Sequence, residues 1–518
     1  MERKWWTLTV ISVALFMLLL DITVVNVALP SIQRDLHASF EDLQWVVDAY
    51  SLTLAAFLLM AGALADLRGR RLIFSTGLVI FTASSATCGV SVDPLMLNIA
   101  RGAQGVGGAM MFSTSLALLG HAFHGRERGV AFGIFGAVTG IAVAIGPLLG
   151  GIVTSGIGWR WVFFINVPLG VLALIGATRQ VEESRDPEAA GADWLGLITF
   201  SASLFLLVFA LVQGNERGWG STVILASLIG AALLLAAFVT AELRQRRPML
   251  DLSLFRLPTF LGASVVAFCL SAAVFALFLY LTLYLQTVLG YSALQAGIRF
   301  LPNTLAMFAI APLAGRLSVR VPVRLLLGSG LILCGGGLIA MTVLDAASPW
   351  TALIPGFLLQ GVGVGLINPP LASTAIGVVA PARGGMASGI NSTFRQVGIA
   401  TGVAGFGAIF QHDLLSRTQS VLAAHHALHA MQSALHGSLS SLLVSGEVAG
   451  AAGKLPTAAR GLLLHAYRSG FTGALDVLFW IAAALALAGA AAALALVRRR
   501  DFVAAAGQHE PAVASAAA

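Results

Sequence analysis

Residues 6–29 read WTLTVISVALFMLLLDITVVNVAL, a run of 24 residues with one ionisable side chain, Asp21. A transmembrane helix needs about 17–25 predominantly apolar residues, so this run is long enough to cross a bilayer. The apolar core of a cleaved signal peptide is shorter, at about 7–15 residues. The run therefore predicts an uncleaved first membrane helix.

Thirteen further runs have the length and apolar character of a membrane span. They occupy residues 44–65, 72–91, 95–120, 130–154, 161–177, 194–213, 221–241, 260–285, 297–315, 324–344, 351–376, 387–411 and 474–497. The chain is 58% hydrophobic and only 10% charged, whereas soluble domains carry about 25% charged residues. We therefore expect an all-α integral membrane protein with fourteen spans.

The distribution of basic residues predicts how the chain lies in the membrane. Arginines and lysines cluster in short loops between apolar runs, so the net charge of +7 does not indicate nucleic-acid binding. If the N-terminus is cytoplasmic, twenty of the thirty basic residues lie on the inside, eight lie outside, and Arg101 and Arg395 fall within spans. This excess predicts a multi-pass protein of the cytoplasmic membrane with both termini in the cytoplasm.

Two kinds of site are not indicated by the sequence. Cys88, Cys269 and Cys334 lie in separate apolar runs, without the paired spacing of a zinc site or a disulfide framework. Lys454 follows Gly453 but lacks the glycine spacing and the hydroxyl residue of a nucleotide-phosphate loop. We expect no cofactor, and a proton gradient as the source of energy.

An internal repeat divides the chain into two halves. Gln104-Gly105-Val106-Gly107 recurs as Gln360-Gly361-Val362-Gly363. Parallel repeats of six spans are typical of transporters built from two bundles, which leaves spans seven and eight as an inserted pair. The expected parts are an N-terminal six-helix bundle (1–178), a linker with two extra helices (179–258), five helices of the C-terminal bundle (259–411), an external amphipathic segment (412–470), the last span (471–500) and a disordered cytoplasmic tail (501–518).

The external segment repeats an apolar residue every seven positions. The repeat comprises Leu414, Val421, Leu428, Leu435 and Leu442. This spacing predicts an amphipathic helix on the membrane surface or over the mouth of a transporter. Its histidines at 425, 429 and 436 favour a solvated polar face over a metal site, because no acidic residue or cysteine lies nearby.

Two aspartates within spans are candidates for proton binding. Asp21 and Arg101 each lie roughly 10–12 Å below the outer surface, judged from a rise of about 1.5 Å per residue, so the two can pair. An ionisable side chain at this depth is costly and is a functional candidate by default, although a purely structural ion pair is the alternative. Asp48 lies roughly 6 Å deep, where it could equally face interfacial water.

Further residues are predicted to line a central cavity or to control conformational change. The predicted cavity residues are Asp21, Asn26, Asp48, Gln104, Gln286 and Arg395. The predicted conformational residues are Gly62, Asp66, Gly69 and Arg70 in the loop after span two, and Gly146, Pro147 and Gly150 in span five. Glycines at small-xxx-small spacing allow close helix approach, and proline can kink a helix.

These segments together resemble the fourteen-span drug:proton antiporters of the major facilitator superfamily. The matching stretches are 21–30, 62–71, 97–108, 136–151, 158–168 and 384–398. The resemblance implies two six-helix bundles plus two inserted helices, with Asp21, Arg101 and Asp48 in proton coupling. It also implies the export of amphipathic, cationic drugs and contact with lipids, and it leaves open a periplasmic accessory protein.

Three alternatives to drug export are weighed against the residues. The first is a proton-coupled uptake symporter for a metabolite, against which the motif at Gly146-Pro147 argues, or an exporter of one specific metabolite, which stays open. The second is an intramembrane enzyme, which would need a catalytic cluster of His, Asp or Cys at the membrane edge. The third is a sensor that has lost transport, and the presence of both Asp21 and Arg101 argues against it.

Overall fold

The computed structural model describes residues 2–123, 125–185, 193–245, 248, 250–318, 320–379, 384–425, 448 and 456–502. The regular structure of these residues is entirely helical. The helices are α1 (Arg3–Leu36), α2 (Phe40–Arg68), α3 (Arg70–Gly89), α4 (Pro94–Ala122), α5 (Gly125–Gly156), α6 (Arg160–Phe164), α7 (Asn166–Gln180), α8 (Trp194–Arg217), α9 (Thr222–Arg244), α10 (Pro258–Leu270), α11 (Leu277–Leu283), α12 (Ala293–Arg299), α13 (Leu301–Leu317), α14 (Val323–Ala340), α15 (Ile354–Gly377), α16 (Gly384–Ala424) and α17 (Thr457–Leu496).

Local sequence signals explain where the first helices begin and end. Ser39 and Asp42 form a reciprocal capping box at the start of α2, which satisfies backbone N–H groups that have no partner within the helix. Asp93 accepts a hydrogen bond from the backbone of Met96 at the start of α4. Gly69 separates α2 from α3 with φ +120°, a conformation that residues with a side chain rarely adopt.

The all-helical membrane architecture is confirmed, but the count of fourteen spans is not. Ten helical stretches of the described residues are long and apolar enough to cross a bilayer, or eleven if α12 and α13, bent by 41°, form one span. Helices α4, α5 and α16 coincide with predicted spans but are not among these ten.

The two halves of the chain repeat the same packing. In the first half α4 packs against both α2 and α3, and in the second half α15 packs against both α13 and α14. Helices α8 and α9 pair with each other, and α8 also contacts α2 and α16. Short π-helical or 3-10 segments flank the membrane helices of the second half, at Leu252–Arg256, Ser271–Phe275, Tyr284–Val288, Trp350–Leu353 and Arg499–Asp501.

The halves contact each other near both faces of the membrane. We call the face at which α1 begins the N-terminal face, and the other the opposite face. Helix α5 meets α12 near the opposite face, where the glycine at 151 lies against Ala293. Gln286 of the segment after α11 donates a hydrogen bond of 2.8 Å to the carbonyl of Val27. Helices α2 and α16 also meet near the N-terminal face, at Leu59 and Gly389.

Helices α16 and α17 are longer than the spans predicted at 387–411 and 474–497. Helix α16 has 41 residues, or about 60 Å at about 1.5 Å per residue, which is twice the hydrocarbon thickness of about 30 Å. Leu414 and Leu422 of its extension are buried in the same cluster as Leu463 and Phe471 of α17. Both ends of the predicted external segment therefore continue the membrane helices.

The rest of that segment cannot be compared with the prediction. Leu428, Leu435 and Leu442 of the seven-residue repeat lie outside the described residues, as do His429 and His436. The tail predicted at 501–518 is described only to residue 502.

Candidate functional site

Asp21 lies in a buried polar network inside the first half. Arg101 Nη1 donates to Asp21 Oδ2, forming an ion pair that is almost completely excluded from solvent. Gln104 Nε2 donates to Asp21 Oδ1 at 3.0 Å, and Asn166 Nδ2 donates to the same oxygen at 3.2 Å. The pairing that equal depth permits is thus present, and Gln104 belongs to it rather than to an open cavity.

Arg101 ties this network to the neighbouring helices. Its Nε donates to the carbonyl of Val46 at 3.0 Å, and its guanidinium carbon lies 4.3 Å from the ring centroid of Tyr50. Asn166 also donates to Ser85 Oγ at 3.1 Å. Buried charges are tolerated when they are paired and fully hydrogen-bonded, so this network joins α1, α2, α3, α4 and α7 into one unit.

Asp48 has a different environment, at the contact between the two halves. Its side chain is 0% exposed, and neither carboxylate oxygen has a hydrogen-bond partner among the described residues. One helical turn earlier, Gln44 Nε2 donates to the carbonyl of Val403 at 3.1 Å. Tyr280, which interacts electrostatically with Asp48, donates its hydroxyl to the same carbonyl at 2.6 Å.

The burial of Asp48 decides between the two environments that the sequence allowed. An aspartate at this depth could have faced interfacial water, but Asp48 contacts none of the solvent. Phe40, which stacks on Phe410 at 5.7 Å between ring centroids, helps to cover this region. The physical reason is tertiary: residues of α11 and α16 close over α2.

The loop between α2 and α3 holds a second ionic group. Arg70 donates to Asp66 Oδ1 from Nε at 2.9 Å and from Nη2 at 2.8 Å. Glu183, which follows α7, accepts hydrogen bonds from the backbone N–H groups of Arg71 at 2.9 Å and Leu72 at 3.2 Å. A carboxylate at a helix N-terminus is favourable, so Glu183 caps α3.

The glycines of α5 lie where helices approach most closely. A Cβ on Gly146 would collide with the side chain of Thr23, and one on Gly150 would lie 2.9 Å from the carbonyl oxygen of Val24. The carbonyl of Pro147 fills the space beside Gly297 of α12. This motif therefore packs α5 against α1 and against the second half. Gly62 is less constrained, since its nearest neighbour would be 4.0 Å away.

The remaining predicted cavity residues have separate surroundings. Asn26 Nδ2 donates to the carbonyl of Ile22 in its own helix at 2.9 Å. Gln286 bridges the halves near the opposite face through its bond to Val27. Arg395 of α16 is partly exposed, and its guanidinium carbon lies 5.9 Å from the ring centroid of Phe275.

Two residues of these networks were missed by the sequence analysis. Asn166 belongs to a stretch that carries the family resemblance, but it was given no role. A polar amide in the first turn of an apolar helix was the available signal. Glu183 lies in a short charged stretch of the linker, and nothing in the sequence marks it as the cap of a helix more than a hundred residues earlier.

Comparison with known proteins agrees with this architecture. The family model described as Major Facilitator Superfamily matches residues 11–403. The chain belongs to the major facilitator superfamily. Members of this superfamily are membrane transporters, so the chain is a multi-pass transporter and not an enzyme.

Curated relatives of this superfamily member are resistance and export proteins. "Multidrug resistance protein Stp" of Mycobacterium tuberculosis is 38% identical over 404 residues, covering 78% of this chain and 75% of the relative. "Puromycin resistance protein pur8" of Streptomyces alboniger is 38% identical over 407 residues, covering 78% and 81%. "Tetracenomycin C resistance and export protein" of Streptomyces glaucescens is 33% identical over 498 residues, covering 95% and 91%.

A solved structure with the same fold is a bacterial homolog of the human lysosomal transporter Spinster, in an inward-facing and unoccupied conformation. Its TM-score is 0.61 at 16% identity, covering 97% of this chain and 99% of that chain. This likeness extends the family assignment to the three-dimensional fold.

Proposed function

We propose that this chain is a proton-coupled antiporter that exports amphipathic drugs across the cytoplasmic membrane. The relatives named for resistance to, or export of, several different compounds support a drug substrate. The observation that carries the coupling is the buried, partnerless carboxyl of Asp48 between the two halves. The fourteen-span arrangement of two bundles and an inserted pair is part of the same proposal.

The proposal assigns the N-terminal face to the cytoplasm. Arg3, Lys4, Arg68, Arg70 and Arg71 lie at this face, and cytoplasmic loops carry the excess of basic residues. The contacts of α5 with α12 and of Gln286 with Val27 then lie at the external side, and we propose that this conformation is closed there and open to the cytoplasm. The projecting ends of α16 and α17 lie outside the cell, where a periplasmic accessory protein remains a prediction.

Asp48 is the group through which we connect protonation to movement. An ionised carboxylate enclosed without a partner is strongly unfavourable, whereas a protonated one is a neutral group. Closure of the external side over Asp48 therefore favours the protonated form. In the outward-open conformation the same carboxyl is hydrated and binds a proton from outside before the contact closes. Substrate that binds from the cytoplasm must then loosen the contact around Asp48, so that the carboxyl is hydrated again and the proton leaves to the cytoplasm.

The network around Asp21 has a supporting role in this scheme. Asp21 is already compensated by Arg101 and by two amide donors. We propose that it fixes α1 against α4 while the bundles rock. Asp21 as the proton carrier is the alternative, in which case Arg101 must separate from it during transport.

The proposed function is tested with purified protein in liposomes. A panel of dyes and antimicrobial compounds is first screened for altered resistance on overexpression. Each hit is then loaded into liposomes with and without an imposed pH gradient, and its movement is followed. We expect transport that accelerates with the gradient and stops when a protonophore collapses it. Equal rates with and without the gradient would exclude proton coupling.

A further inference from the structure

One side of α16 carries a row of polar side chains at membrane depth. Ser388, Ser392, Arg395 and Gln396 are spaced four, three and one residues apart, which places them on one side of a helix. All four residues are partly exposed, although the Oε1 atom of Gln396 is itself buried and has no hydrogen-bond partner among the described residues. Polar and charged side chains within spans avoid hydrocarbon and face the protein interior or a water-filled cavity. This polar row therefore faces an internal aqueous space.

The neighbours of α16 show where that space lies. On one flank Gly389 approaches Leu59 of α2 so closely that a Cβ at position 389 would lie 2.9 Å from the leucine side chain. On the other flank Gly398 packs against the backbone of Phe268 in α10. The polar row lies between these two contact surfaces, and hence between a helix of the first half and a helix of the second half.

Arg395 is the charged member of the row, and it has no ionic partner. In the described part of the chain no carboxylate lies within salt-bridge distance of its guanidinium, and no acceptor is bonded to it. Its guanidinium carbon lies 5.9 Å from the ring centroid of Phe275, a residue that is itself partly exposed. A cationic group and an aromatic surface are therefore presented together to the space between the halves.

The other charges deep in the described spans are compensated or enclosed. Asp21 and Arg101 neutralise each other, and the Oδ1 atom of Asp476 in α17 is enclosed without a hydrogen-bond partner among the described residues. Asp48 is completely buried at the contact between α2 and the second half. Among the described residues, Arg395 therefore carries the positive charge within the spans that has no counter-charge. A molecule that enters from the N-terminal face would meet this charge.

We infer that Arg395 binds the carboxylate of an amphipathic substrate, whose apolar body lies against Phe275. The planar guanidinium presents paired N–H donors that match the two oxygens of a carboxylate. This inference rests on the proposed export function and specifies its substrate class. It departs from the cationic substrate that the family resemblance implied.

Three pyrene compounds that differ only in the polar end test the inference. Pyrenebutyrate, pyrenebutanol and pyrenebutylamine are titrated into full-length protein in phosphatidylcholine nanodiscs, and energy transfer from tryptophan to pyrene reports binding. The wild type is expected to bind the carboxylate about tenfold more tightly than the alcohol, since a hydrogen bond to a charged group contributes enough free energy for that ratio. Arg395→Gln should remove this preference, and Arg395→Lys should retain part of it.

A matched variant and a second lipid show whether the preference arises from a substrate site at Arg395. Arg468→Gln makes the same change at an exposed arginine and should leave all three affinities unchanged. If the preference survives in Arg395→Gln, or if the carboxylate binds no better than the alcohol, the inference is wrong. If phosphatidylglycerol nanodiscs abolish the preference, the site holds a lipid headgroup and the substrate assignment fails.

The same compounds separate this inference from the proposed function. Gradient-driven transport of the alcohol without preference for the carboxylate would overturn the substrate class but leave the antiporter intact. A carboxylate preference in binding without any gradient-driven transport would support the substrate class but overturn the antiporter.

Discussion

Asp21 and Asp48 are buried aspartates of consecutive helices, but only one of them is compensated. Asp21 accepts hydrogen bonds from Arg101, Gln104 and Asn166, all within the first half. Asp48 has no partner for either oxygen among the described residues and lies one turn from Gln44, which shares the carbonyl of Val403 with Tyr280 of the second half. The first arrangement stabilises a rigid bundle, whereas the second depends on how the bundles are placed relative to each other.

The difference suggests how one chain can hold a charge permanently and also exchange a proton. A buried ion pair within one bundle persists while that bundle moves as a body. A carboxyl at a moving contact changes its hydration with every cycle, because opening the contact exposes it. Burial alone therefore does not identify a proton carrier, and the position relative to the moving boundary does.

The largest effect is expected from breaking the Asp21 pair. Arg101→Ala leaves an uncompensated buried carboxylate, which should cost about 3–5 kcal/mol of stability. Thermal unfolding in detergent measures the loss. Arg160→Ala is the control, because it breaks a pair with Asp35 in which both side chains are about 40% exposed, and exposed pairs contribute about 0–1 kcal/mol. Equal losses in the two variants would contradict the compensated-charge interpretation of Asp21.

The next effect concerns coupling and distinguishes the two aspartates directly. Asp48→Asn imitates the protonated carboxyl, so the protein should fold and bind substrate but release no proton on binding. One proton crossing about 100 mV supplies about 2.3 kcal/mol, so the variant should lose a concentration ratio of a few tens-fold. A pH-sensitive dye in weakly buffered detergent solution measures proton release.

The control for this prediction is the equivalent change in the other aspartate. Asp21→Asn should retain substrate-induced proton release, although it removes the charge partner of Arg101. If instead Asp21→Asn abolishes release while Asp48→Asn retains it, Asp21 is the carrier and the assignment to Asp48 is refuted.

A smaller effect is expected from the close contact between α5 and α1 within the first half. Gly150→Ala would place a Cβ 2.9 Å from the carbonyl oxygen of Val24, so α5 and α1 must move apart. We expect turnover to fall several-fold with substrate affinity nearly unchanged, measured as transport rate against substrate concentration. Gly156→Ala in the same helix meets no atom within 4 Å and should transport normally. Similar rates in both variants would show that the close contact does not limit transport.

The smallest effect is expected at the ionic group of the loop between α2 and α3. The Asp66–Arg70 pair is partly exposed, so Asp66→Asn should change stability by less than about 1 kcal/mol. Transport should slow while substrate binding is retained. The reason is our proposal that this pair helps to hold the other conformation of the cycle, in which the cytoplasmic side is closed. Asp413→Asn removes the acid of another exposed pair with the same four-residue spacing. A loss of binding in Asp66→Asn alone would indicate misfolding of the loop.

The positions of the helices and the depths of Asp21 and Arg101 follow from information local to the sequence. Apolar runs predict the helices because every backbone polar group in lipid must be bonded within its own segment. Equal depth, which can be counted along each helix, permits the pairing of Asp21 with Arg101 but does not show that the two side chains face each other. The repeated Gln-Gly-Val-Gly stretch likewise marks α4 and α15, which have equivalent packing partners in their halves.

The environment of Asp48 could not be predicted in this way. Asp48 lies one turn from Gln44, which is bonded to the carbonyl of Val403 together with Tyr280, and both of these residues are more than two hundred residues away along the chain. Glu183 reaches the start of α3 across 112 residues. The lengths of α16 and α17 depend on contacts between their extensions, such as Leu414 with the cluster that includes Phe471. Each of these features arises from tertiary packing that no single segment encodes.

Helix α8 gives the transporter two unequal sides within the plane of the membrane. Its residues Leu204 and Val208 share one apolar cluster with Leu52 of α2 and Ala400 of α16, so it lies against both halves at once. In the described structure no equivalent helix covers the contact of α5 with α12 and α13. Helix α8 therefore blocks the entry of a molecule from the lipid on its own side. Lateral entry into the space between the halves would have to take place beside α5.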